Sequence, residues 1–149
     1  MPILKDQQVT ENSWHFIADD MAVCPGNITV SLKRWTESRP LLLQHSGQVG
    51  IRLTPVDTLD EIRDDLSHLP LVELEFPMFN DGRLFSQARL LRDRHGYQGE
   101  IRAVGRFLTD QVHYLSRVGV NAFEFDKPRD IELAKIALKD FSVHYQAGS

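Results

Sequence analysis

A chain of 149 residues, 42% hydrophobic and 26% charged, has the length and composition of one globular domain. Its formal net charge of −4 argues against a general nucleic-acid binder, which is ordinarily basic. A lone cysteine, Cys24, excludes an internal disulfide, a CxxC redox pair and a four-cysteine cluster, and fits a reducing, cytoplasmic compartment. No signal-peptide core opens the chain, and no run approaches the ~18 apolar residues of a membrane span, so no membrane association is expected.

Residues 1–48 read as a partly helical N-terminal segment. Trp14–Ile17 suits a strand. Ser31–Glu37 suits a helix with Leu32 and Trp35 on one side, and Pro40–His45 suits the start of a second short helix.

From residue 49 to 147 the pattern is a repeat of strand and helix. Val49–Thr54 is a strand, and Thr58 with Glu61 has the spacing of a capping box ahead of a helix carrying Leu59, Ile62, Leu66 and Leu69. Leu71–Phe76 is the second strand; the turn at Asn80-Asp81-Gly82 starts a helix with Leu84, Phe85, Ala88 and Leu91 on one face. Gly96 suits a left-handed helix end, with Tyr97 folding back on the last turn. Glu100–Gly105 is the third strand, and Thr109 suits the start of a helix carrying Val112, Leu115 and Val118. Asn121–Phe125 is the fourth, followed by a helix beginning at Pro128. Four parallel strands alternating with helices, joined by right-handed crossovers, make an α/β domain over residues 1–149.

The strands are not apolar on both sides. Ile51 and Leu53, Val72, Leu74 and Phe76, Ile101 and Ala103, and Phe123 and Phe125 share one face; Arg52, Glu73 and Glu75, Arg102 and Glu124 share the other. A doubly wound sheet would need apolar residues on both faces. The alternation instead predicts helices on one side only and a half (β/α)-barrel, with the charges on its concave side. There Arg52 would pair with Glu73 or Glu75, and Arg102 with Glu75 or Glu124.

Two readings of that face stand open. It is a structural ion-pair network, capped by the N-terminal segment or by a second subunit; or it is a polar site. In barrels, sites gather at the C-terminal ends of the strands. Arg83 and Arg106 fall there and suit a small oxyanion, beside Asp81, Glu75 and Glu124; solvated surface arginines are the plainer reading. Glu73 and Glu75 beside arginines should both stay ionised, which suits structure better than acid–base chemistry. The six histidines form no HxH or HxxxH pair, so no metal is expected, and no GxGxxG, Walker or GxSxG pattern points to a cofactor. Charge is uneven as well: six arginines lie between Arg83 and Arg106 against Asp93 and Glu100.

Asp81-Gly82-Arg83, Ser86, Ala88-Arg89-Leu90-Leu91-Arg92, Gly96-Tyr97, Gly99-Glu100, Arg102-Ala103, Gly105, Asp110-Gln111, Gly119, Phe123-Glu124 and Phe141-Ser142 together resemble a proteobacterial family, the domain of unknown function numbered nine-three-four. The resemblance runs roughly over residues 40–147. It implies a pathway and no mechanism: members are often encoded beside sulfite reductase. The expectation is therefore a non-enzymatic accessory of assimilatory sulfite reduction, docking on sulfite reductase or its electron donor through the arginine-rich segment. The alternatives are a small enzyme or oxyanion-binding protein using the Arg/Glu concavity, and an obligate homodimer of two half-barrels.

Overall fold

The computed structural model describes residues 2–78, 82–125 and 127–148, with the side chains of 128 and 140–148 set aside. Eight strands form one sheet: β1 (Pro2–Lys5), β2 (Gln8–Glu11), β3 (Trp14–Phe16), β4 (Asn27–Ser31), β5 (Val49–Leu53), β6 (Leu71–Phe76), β7 (Glu100–Gly105) and β8 (Ala122–Phe123). Their spatial order is β2-β1-β8-β7-β6-β5-β4-β3. The four expected strands are β5 to β8, parallel and in sequence order. They are only part of the sheet. β3 and β4 extend the parallel run, and the β1–β2 hairpin adds two antiparallel strands beside β8.

The expectation of a partly helical N-terminal segment is thus extended: the strand near Trp14 is β3 and the helix is present, and three further strands, β1, β2 and β4, join them. The hairpin escaped the pattern because β2 is exposed on both faces, so Gln8, Val9, Thr10 and Glu11 show no apolar alternation. Helix α1 (Leu32–Leu43) merges the two expected helices across a kink at Ser38, ahead of Pro40, whose ring and missing N–H interrupt the ladder. The Ser31 hydroxyl caps it, accepting from the Arg34 N–H at 3.1 Å.

Leu59–His68 winds as a 3-10 helix rather than an α-helix, and Thr58 makes no side-chain cap. Three residues per turn align Leu59, Ile62 and Asp65 inward. Asp65 is held there by the Trp35 indole N–H, which donates to Oδ2 at 2.9 Å, and by Arg39. Helix α2 (Arg83–Arg89) continues as one wide π turn, Leu90–Arg94. It ends as expected at Gly96, with φ of +64° and the Tyr97 N–H donating to the Leu91 carbonyl at 2.8 Å. A short 3-10 turn, Thr109–Gln111, leads into α3 (Val112–Arg117); its N-cap is Leu108 rather than Thr109, with the Leu108 N–H bonded to the Gln111 side chain. Helix α4 (Pro128–Gly148) begins at Pro128. The Asn80-Asp81 turn falls outside the described residues.

Sequential strand order with right-handed crossovers puts the helices on one side. The apolar strand residues Ile51, Leu53, Val72, Leu74, Phe76, Ile101, Ala103 and Phe123, with Phe125 just beyond β8, all lie in the core cluster beneath them. The other side is buried too. Ile3, Leu71, Val104 and Ala122 are almost inaccessible yet stand apart from that cluster. The chain path explains why. β2 and β3 are opposite edges of the sheet, joined only by Asn12 and Ser13. Seven strand spacings laid flat span about 34 Å, whereas Glu11 and Trp14 are at most about 11 Å apart along the chain. The sheet therefore curls until its edges approach, and its concave face becomes a second interior. Gly50 marks the tightness: a Cβ there would lie 2.6 Å from the Leu71 carbonyl oxygen and 3.2 Å from Thr29 Cγ2.

Candidate functional site

The strand register fixes the charged face. Arg52 is level with Glu73, and Glu73 with Arg102. In-register residues of parallel neighbours share a face, so the three side chains meet. Arg52 Nε donates to Glu73 Oε1 at 3.0 Å, and its Nη1 reaches Glu75 Oε2 at 3.4 Å. Arg102 Nη1 lies 3.9 Å from Glu73 Oε2, while its Nε and Nη2 hold Glu100 Oε2 at 2.9 and 2.7 Å. Lys5 of β1 takes the other Glu100 oxygen at 2.9 Å. The Arg102 pairing differs from expectation: its partners are Glu100 and Glu73, not Glu75 or Glu124. The i, i+2 spacing of Glu100 and Arg102 puts both on one face of β7, closer than any diagonal carboxylate.

The N-terminal link closes the network. Asn12 Oδ1 accepts from Arg102 Nη1 at 2.9 Å, and its Nδ2 donates to Glu124 Oε1 at 2.8 Å. Glu124 thus meets Arg102 through one amide. On the other flank Phe16 of β3 lies under Arg52, the guanidinium carbon 4.1 Å from the ring centre. Side-chain exposure grades the network from 2% at Arg102 and 3% at Glu73 to 15% at Arg52 and 42% at Glu75. Arg52, Arg102, Glu75 and Glu124 are therefore one assembly, with Glu75 at its open end. Asn12, Phe16 and Lys5 are members that sequence reasoning missed; a lone asparagine between two short strands carries no signal of what it will bridge.

Arg83 and Arg106 are not part of it. Both are exposed, at the start of α2 and just beyond β7. Asp81 lies outside the described residues. Among the described residues there is no group of three or more His, Cys, Asp or Glu placed to hold a metal, and no helix long and apolar enough to cross a membrane.

A second arginine site uses carbonyls instead of carboxylates. Arg92, in the π turn, donates from Nε to the Gly119 carbonyl at 3.0 Å and from Nη1 to those of Tyr97 and Gly99 at 2.7 and 2.8 Å. A Cβ on Gly119 would stand 2.3 Å from Arg92 Cγ. Burial pushes the Arg92 guanidinium down from its ordinary value, partly offset by Tyr97 and Asp6. Burial likewise pushes the Tyr97 phenol well up, against the pull of Arg92; its hydroxyl donates to the Leu69 carbonyl at 2.7 Å. The clamp ties together the end of α2, the start of β7 and the end of α3.

A family model described as "Bacterial protein of unknown function (DUF934)" matches residues 50–149. The chain belongs to this family. No curated protein matches it. The DUF934 match opens at Gly50 and takes in Arg52, Glu73, Glu75, Arg102, Glu124 and the whole Arg92 clamp; Asn12, Phe16 and Lys5, which close the concave network, precede it.

Proposed function

We propose that this DUF934 protein is a non-enzymatic docking protein, an accessory of assimilatory sulfite reduction that associates with sulfite reductase or its electron donor. The placement in sulfite reduction comes from the family resemblance, whose members are often encoded beside that enzyme. Docking is favoured over catalysis by one observation: the concave arginines are already answered by the chain's own carboxylates and by Asn12, so an incoming anion would have to displace buried partners at a cost of several kcal/mol, roughly. The exposed arginines of the basic segment, Arg89, Arg94 and Arg106, face outward instead. Rim charges of this kind steer association and are screened by salt.

The test is a pull-down of the tagged protein from its own bacterial lysate at low and high salt, alongside an Arg89→Glu, Arg94→Glu variant. Sulfite reductase or its redox partner is expected at low salt and not at high salt, and is lost from the variant. Association that ignores both salt and charge reversal sinks the arginine-docking reading. The alternative, a small enzyme or oxyanion-binding protein with Arg83 and Arg106 at the mouth of the concavity, predicts instead that sulfate or sulfite raises the melting temperature, and that Arg106→Ala abolishes the rise.

A further inference from the structure

The six histidines look scattered in the sequence, yet three of them line a cleft formed by two adjoining cavities. It lies at the N-terminal ends of β5, β6 and β7, opposite the mouth of the concave face. Two cavities, of about 340 and 470 Å³, meet there and share Ser67 and Leu69. Each lies within the range typical of small-molecule sites, ~300–1,000 Å³. His45 and His68 line the first; Arg63 and His95 line the second. Trp35, Leu42, Leu69 and Tyr97 supply apolar surface, all largely buried.

The sign of the cleft is unusual for this chain. The protein carries a net −4, but no Asp or Glu lines either cavity. The two carboxylates beside Arg63 on its own helix are accounted for. Asp65 turns inward to Trp35 and Arg39. Asp64 stands 3.8 Å from Arg63, with both side chains largely in water, where such a pair holds weakly and leaves the guanidinium available. His45 is committed, its Nε2 donating to the Gly26 carbonyl at 2.7 Å. Arg63, His68 and His95 remain as donors around an apolar floor. A guanidinium matches a two-oxygen anion, and an imidazole offers one N–H donor even when neutral.

We propose that the cleft bounded by Arg63, His68 and His95 binds a small organic anion, a carboxylate, sulfonate or phosphate ester with an apolar body. The proposal stands apart from the docking reading, because it uses none of the arginines between 83 and 106.

The probe is anilinonaphthalene sulfonate, an aromatic sulfonate, titrated by fluorescence and by amide NMR on the full chain, with uncharged phenylnaphthylamine as its match. Saturable one-to-one binding is expected, with amide shifts centred on Ser67, Leu69, Gly96 and Gln98. The combined Arg63→Gln, His68→Gln, His95→Gln variant should bind roughly tenfold or more weakly, the loss expected for at least one contact to a charged group. These positions are exposed or half-exposed, so an unchanged melting temperature verifies that the variant folds. The proposal is overturned if shifts centre elsewhere, as on the exposed Leu133 and Ile136 of α4; if the uncharged probe binds as tightly; or if the folded variant binds the sulfonate unchanged.

Discussion

The two faces of the sheet are both interiors, built from opposite chemistry. The convex side buries Ile51, Leu74, Ile101 and Phe123 under the helices, where contacts are non-directional and close in volume. The concave side buries Arg102 and Glu73 among Ile3, Leu71, Val104 and Ala122, where each charge must find a partner in a particular direction. The convex face tolerates any set of side chains of the right volume. The concave face works only if the register is right, because a one-residue slip of β6 against β7 would turn Glu73 away from Arg102.

The sharpest way to break this comparison is Arg102→Ala. It takes from the largely buried Glu100 the guanidinium that holds it through two nitrogens, removes the second cation beside Glu73, and should cost about 3–5 kcal/mol by denaturant unfolding. Replacing Glu100 and Arg102 together by leucine should cost less than Arg102→Ala alone, since the guanidinium and the carboxylate it holds most closely are then removed together. If the double replacement is as harmful as the single one, ion pairing is not what the concave face depends on. Leu74→Ala, on the convex side, should cost about 2–5 kcal/mol through lost burial and a cavity, with no rescue by any second charge change.

Asn12→Ala tests the closure of the concave face. It removes the bridge from Arg102 to Glu124 and should cost about 1–3 kcal/mol. A double-mutant cycle with Glu124→Gln should show coupling between the two. Strict additivity would mean that the amide is a bystander.

Tyr97→Phe is the smallest structural effect, about 1 kcal/mol at neutral pH for the bond to Leu69. Its signature is alkaline. Burial holds the folded phenol protonated beyond its ordinary value of about 10, so the stability this contributes is intact below that pH and is lost as pH rises above it. The phenylalanine variant should lose less stability than the parent across that range in urea titrations.

Much of this was legible from strand periodicity. The alternation of Ile51-Arg52-Leu53 and of Leu74-Glu75-Phe76 named both faces, and hence the side on which the helices sit. What stayed hidden depended on long-range closure. β2 carries no pattern because no face of it is buried. The 3-10 winding of residues 59–68 places Asp65 inward against Trp35 and Arg39, both far away in sequence. The Arg92 clamp was invisible because backbone carbonyls, its partners, have no residue identity to read. The clustering of His68 and His95 needed the fold itself.

The register of the hairpin has a temporal corollary. Leu4 pairs with Phe123, so a strand made early is completed by one made late. During synthesis β1 and β2 emerge long before β8 exists, and must wait with unpaired edges while the parallel run assembles behind them. Such a non-local final step is slow by nature, and a nascent chain stalled before residue 122 would expose an open sheet to its neighbours.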